Sequence, residues 1–103
     1  MEIKQAQKLV GEHLEKIGYT KVETDVKHVF LHLLEEVGEL ARTLLHKETK
    51  RDSLPFTTKP SELSDELADI FWQTIKLALY LKIDLESCFI NKLEKNRKKP
   101  KNT

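Results

Sequence analysis

Residues 26–45 read VKHVFLHLLEEVGELARTLL, and the fold turns on them. Val26, Val29, Phe30, Leu33, Leu34, Val37, Leu40, Ala41, Leu44 and Leu45 recur at steps of three and four, the period of one face of an α-helix. Thr24 or Asp25 suits the N-cap, and the pattern runs to about His46. Glu35, Glu36 and Glu39 surround Gly38 in mid-element. A glycine there is disfavoured by about 1 kcal/mol against alanine, and like charges three or four residues apart repel one another. Something other than helix formation selects these residues.

Working outward, three more helical segments complete the chain. Ile3, Ala6, Leu9, Val10, Leu14 and Ile17 form a stripe over residues 2–17 that ends near Gly18. Residues 47–60, KETKRDSLPFTTKP, read as a loop, and Ser61 caps a third helix to about Lys82. That third helix is apolar nearly all round, from Leu63 through Phe71 and Trp72 to Leu81, which predicts burial on more than one side. In so short a chain the extra cover expected is a second subunit. Asp84 caps a fourth helix through Leu85, Phe89, Ile90 and Leu93, which fades into a basic tail.

Composition agrees with an all-α, four-helix bundle that assembles through its third helix into a homo-oligomer. The chain has 103 residues, 34% charged and 7% aromatic, with three glycines and three prolines. A β-sandwich or barrel needs more turn residues than that. One domain is expected over residues 1–99, with 100–103 as a basic tail. The net charge of +1 excludes a surface built throughout for nucleic acid. Cys88 is the only cysteine, so no internal disulfide forms, and a reducing compartment, the cytoplasm, is expected. No stretch resembles a signal peptide, and apolar runs such as LALYL at 77–81 are too short to cross a bilayer.

The acids acquire a pattern when EVGEL at 36–40 is set beside ELADI at 66–70. Each holds a carboxylate, two small or apolar residues, a second carboxylate and a large aliphatic. Measured from Leu33, Glu36 and Glu39 lie at about −60° and −120° on the helical wheel. Measured from Leu63, Glu66 and Asp69 fall at the same two angles. An antiparallel hairpin has a twofold axis perpendicular to both helices, which puts equal edges on the same side. The spacing therefore predicts four carboxylates gathered at the rim of a helical core. At about 4 Å each repulsive pair costs on the order of 4 kcal/mol at an effective dielectric of 20. Basic side chains, raised pKa values or divalent cations must offset that repulsion. An all-oxygen ligand set suits Mg²⁺ or Mn²⁺. Gly38 then thins the helix where a backbone or ligand approaches.

EEVGELA at 35–41, DELADIFW at 65–72 and KLEKNRKK at 92–99 together resemble the MazG-like all-α nucleoside triphosphate pyrophosphohydrolases. The pattern is Glu-x-x-Glu, a variable spacer (26 residues here), then Glu-x-x-Asp, and the resemblance spans residues from about 26 to 99. It implies Glu36, Glu39, Glu66 and Asp69 as Mg²⁺ ligands, and cleavage of a nucleotide's α–β phosphoanhydride to a monophosphate and pyrophosphate. A house-cleaning role toward non-standard or surplus nucleotides fits that activity. Glu35 or Glu39 would take the proton of the attacking water; the resemblance does not choose between them. Lys92, Lys95, Asn96 and Arg97 match the positions that contact phosphates. Trp72 has two readings, a ring stacked on the base or a subunit contact. His28 and His32, one turn apart, are candidates for the base pocket.

Two rivals are phosphoribosyl-ATP pyrophosphohydrolase and a non-catalytic helical interaction module. The first resembles the same superfamily, but a Tyr-His step expected after its second acidic motif is replaced here by FWQ at 71–73. The second would use the acidic patch and basic tail to contact protein or RNA.

Overall fold

The computed structural model describes residues 1–18, 25–49 and 60–99, with residues 46–49, 60 and 61 described for their backbone only. Four helices form: α1 (Ile3–Lys16), α2 (Val26–Thr49), α3 (Pro60–Tyr80) and α4 (Leu85–Arg97). No strand occurs among the described residues, and no helix among them is long and apolar enough to cross a membrane.

The helix ends follow local chemistry. Asp25 accepts from the His28 amide (3.0 Å) and caps α2. Thr24, the other candidate cap, lies outside the described residues. α2 runs past His46 to Thr49, because Lys and Glu favour helix about as well as most residues do; residues 50–59 of the expected loop lie outside the described residues. α3 begins at Pro60, so Ser61 sits inside the helix rather than capping it; proline suits the first helical position because its missing N–H would be unpaired there anyway. Past the end of α1 at Lys16, the Gly18 amide donates to the Glu15 carbonyl at 3.1 Å, and Gly18 takes a φ of 69°, which glycine adopts without strain.

α3 is the central element, flanked by α2 on one side and α1 on another. Val10 and Leu14 of α1 pack on Ile75, with Trp72 and Leu79 beside them. Val29 of α2 is fully buried, and Ala78 nearly so. The second cover expected for the apolar circumference of α3 is therefore supplied in large part by α1 of the same chain. The apolar face left open belongs mainly to α2, where Phe30, Leu34, Val37 and Leu44 remain exposed, joined by Leu67 and Phe71 of α3.

α4 departs from the expected bundle. It is rooted on α1: Glu86 accepts from the Lys4 amide (3.1 Å), and the Gln7 side chain donates to the Ile83 carbonyl (2.8 Å) and accepts from the Leu85 amide (3.3 Å). Glu86 thereby satisfies one of the unpaired first-turn amides of α1, whose own N-cap residue Glu2 makes no side-chain cap bond. Every residue from Ser87 to Lys99 is exposed. Without a covering surface for Phe89, Ile90 and Leu93, α4 projects as an arm instead of closing a fourth side.

Candidate active site

α2 and α3 pack side by side, and two contacts fix the pairing as antiparallel. The Thr43 hydroxyl donates to Glu66 at 3.1 Å, while Glu36, about two turns earlier on α2, feels the charge of Asp69, later on α3. The two acidic pairs therefore face one edge of the hairpin, as their common phase predicts. On the wheels of the two helices the exposed apolar residues Phe30 and Val37, and Leu67 and Phe71, lie at about +40° to +80°. One side of the hairpin is acidic and the other apolar.

Burial grades the four carboxylates. The Glu36 side chain retains 15% exposure and Glu66 is half-buried, whereas Glu39 and Asp69 are exposed. Burial pushes the Glu36 carboxyl above its usual pKa, and the charges of Glu39 and then Asp69 push it further the same way. His32 opposes the shift, with Nε2 at 3.3 Å from Glu36 Oε1. Glu66 accepts from Thr43 through Oε1, but its Oε2 is buried with no hydrogen-bond partner. A carboxylate oxygen left so is costly.

Among the described residues no three Asp, Glu, His or Cys side chains are gathered tightly enough to grip an ion as they stand. The donor chemistry nevertheless fits a hard divalent cation. The four groups supply only oxygen, the buried Glu66 Oε2 lacks the positive partner that an ion provides, and the exposed Glu39 and Asp69 have freedom to turn inward.

The remaining candidates are dispersed. Glu35 is exposed, about 100° round α2 from Glu36. Lys92, Lys95, Asn96 and Arg97 stand on the projecting part of α4, with Arg97 paired to Glu94 of its own helix at 2.9 Å; α4 docks on α1 and does not carry them to the acids of the same chain. Trp72 faces α1, where it meets the His13 ring edge-on at 5.5 Å. His28 is exposed and held by Asp25 at 3.0 Å at the start of α2.

Thr43 and Gln73 join the acidic edge unforeseen, and His32, a candidate for the base pocket, lies on that edge against Glu36. Thr43 lies four residues after Glu39, Gln73 four after Asp69, and His32 four before Glu36, so each continues the edge by one turn. Gln73 is buried, with an Oε1 that has no partner. That one-turn spacing was the available signal, but Thr and Gln are too common on helices to stand out by it.

A family model described as the MazG nucleotide pyrophosphohydrolase domain matches residues 24–103. No curated protein and no solved structure shows significant similarity to the chain. The match takes in both acidic pairs, the helices that oppose them and the basic end of α4. The chain belongs to the MazG nucleotide pyrophosphohydrolase family.

Proposed function

We propose that this chain hydrolyses ribo- or deoxynucleoside triphosphates at the α–β phosphoanhydride, releasing a nucleoside monophosphate and pyrophosphate, with Mg²⁺ as cofactor and Mn²⁺ as a substitute. The observation that carries the reading is the meeting of two carboxylate pairs across the α2–α3 interface, one member raised in pKa by burial and like charge and another holding a buried, unpartnered oxygen.

In this reading Glu36, Glu39, Glu66 and Asp69 hold the cation. When bound, a divalent ion supplies charge neutralisation for the triphosphate and acidifies a water. Glu35 or Glu39, both exposed, receives the proton of the attacking water. Thr43 and His32 orient Glu66 and Glu36 from behind. Lys92, Lys95, Asn96 and Arg97 bind the phosphates, and His28, one turn before His32, sits toward the base end. Trp72 is assigned to packing on α1, where its edge contact lies. The working form is a homodimer or homotetramer in the cytoplasm, where the single Cys88 stays reduced.

The test is pyrophosphate release from a panel of standard and modified NTPs and dNTPs, and phosphoribosyl-ATP, with Mg²⁺ and with EDTA. Metal-dependent formation of pyrophosphate plus monophosphate is the expected result, and Glu39→Gln abolishes it. Release from no nucleotide, with a melting temperature indifferent to Mg²⁺, would overturn the reading in favour of an interaction module.

A further inference from the structure

Gln73 poses a physical problem that the four acids do not explain. It lies on α3 one turn beyond Asp69 and is only 6% exposed. Its Oε1 is buried, with no hydrogen-bond partner among the described residues. A buried carbonyl oxygen left unpaired is destabilising. A methionine would fill much the same space without that penalty, so packing alone does not account for an amide here.

The symmetry of the hairpin identifies its neighbour. Measured from Leu63, Gln73 lies at about −80° on the helical wheel, between Glu66 and Asp69. Thr43 has the same angle measured from Leu33 on α2. The approximate twofold axis that relates Glu36 to Glu66 and Glu39 to Asp69 therefore relates Thr43 to Gln73 as well. Thr43 donates to Glu66 at 3.1 Å. Carried across the axis, that pairing puts Gln73 opposite Glu36, whose side chain retains 15% exposure. Two neutral side chains thus flank the acids at opposite ends of one edge.

Their chemistry differs. A threonine hydroxyl satisfies a carboxylate by donating its proton, as Thr43 does. A carboxamide has two ends: its NH₂ group donates, and its oxygen only accepts. Glu36, Glu66 and Asp69, which share the edge with it, offer no proton while ionised. The partner that suits an oxygen set among carboxylates is positive, and side-chain carbonyl oxygens of Asn and Gln are ordinary ligands of hard divalent ions.

We propose that the Gln73 carbonyl oxygen is an additional, neutral ligand of the divalent cation, shared with Glu36 and Asp69, while its NH₂ group donates to Glu36. The pyrophosphohydrolase reading supplies the task of that ion; burial and the symmetry of the hairpin single out the residue. A neutral donor extends the ligand set without adding to the repulsion among four carboxylates, so an amide suits this position better than a fifth acid.

Two measurements without nucleotide test it. Gln73→Met keeps the volume and removes the amide. The apo variant should melt no lower than the wild type, because the unpaired oxygen is gone. Its Mn²⁺ affinity, titrated by electron paramagnetic resonance, should fall at least about 10-fold, no less than the loss of a partner behind a ligand. Unchanged Mn²⁺ affinity overturns the proposal. The second measurement uses the wild type, so it does not depend on the variant folding. In ¹⁵N-labelled protein Mg²⁺ should shift the side-chain amide signal of Gln73 and leave those of Gln5 and Gln7 on α1 in place. A Gln73 signal that Mg²⁺ does not move overturns the proposal too. Mg²⁺-dependent pyrophosphate release with both of these negative results leaves the pyrophosphohydrolase reading standing and removes Gln73 from the ion. Ion binding that depends on Gln73 in a protein that releases no pyrophosphate does the reverse. A wild type that binds neither ion overturns both.

Discussion

Glu36 is the carboxylate on which the acidic edge bears hardest. Burial raises its pKa first, and the charges of Glu39 and Asp69 add to the shift. The native state therefore holds this proton more tightly than the unfolded chain does, so stability falls as pH rises from the ordinary glutamate range through the raised folded value. Glu36→Gln removes that dependence. Its apo melting temperature at neutral pH should exceed that of the wild type, while the rise on adding Mg²⁺ disappears; a pH series of melts with and without the ion reads both. Thr43→Val acts one step away. It removes the hydroxyl that donates to Glu66 and should weaken Mg²⁺ binding about 10- to 100-fold, the range for a lost partner behind a ligand, seen by titrating the ion against melting temperature. The four acids were legible in the sequence because charge repeated at a fixed phase is improbable and costly. Thr43 and Gln73 were not, since a neutral hydroxyl or amide carries no such signature until the antiparallel register sets it beside its partner.

Between α3 and α4 the backbone makes a Schellman turn. The Ile83 amide donates to the Ala78 carbonyl (2.9 Å) and the Lys82 amide to Leu79 (3.2 Å), with Lys82 at φ 58°. A side chain in that left-handed conformation costs about 1 kcal/mol, which glycine avoids. Lys82→Gly should accordingly raise the melting temperature without altering turnover. Asp84 follows, accepting from the Ser87 amide at 3.2 Å and the Ser87 hydroxyl at 2.9 Å. Those bonds hold its carboxyl below the usual aspartate range, so its contribution is present above that range and fades as the pH falls through the folded value. Asp84→Ala should speed amide exchange over the first turn of α4 at neutral pH and leave α1 and α3 protected. The Asp84 cap could be read from its position before Leu85, because capping is a local property. α3 starts two residues earlier than a Ser61 cap implies, because Pro60 and Ser61 both carry start signals and the proline prevails at the first helical position. The projection of α4 was not legible at all. Its stripe of Leu85, Phe89 and Leu93 says that a face is to be covered, but not by which chain.

At the scale of the molecule, much of the open apolar surface lies on α2, where Phe30, Leu31, Leu34, Val37, Leu44 and Leu45 are all exposed, and an apolar face of that kind marks an interaction surface. Gly38 belongs to the same question. A Cβ placed there meets nothing within 4 Å, so no contact among the described residues accounts for a mid-helix glycine. A close approach from outside would, and Gly38 lies beside Leu34 and Leu45 on the wheel, next to the open stripe. Two substitutions separate the alternatives. Val37→Glu puts a charge in the apolar face and should convert an oligomer to monomers in sedimentation velocity, with loss of turnover if sites are shared. Gly38→Ala should raise intrinsic helix stability by about 1 kcal/mol, yet weaken association if another helix packs against that spot. A Gly38→Ala protein that is both more stable and equally associated would mean that nothing approaches there. A wild type that sediments as a monomer at micromolar concentration would remove a second copy as the cover for α2.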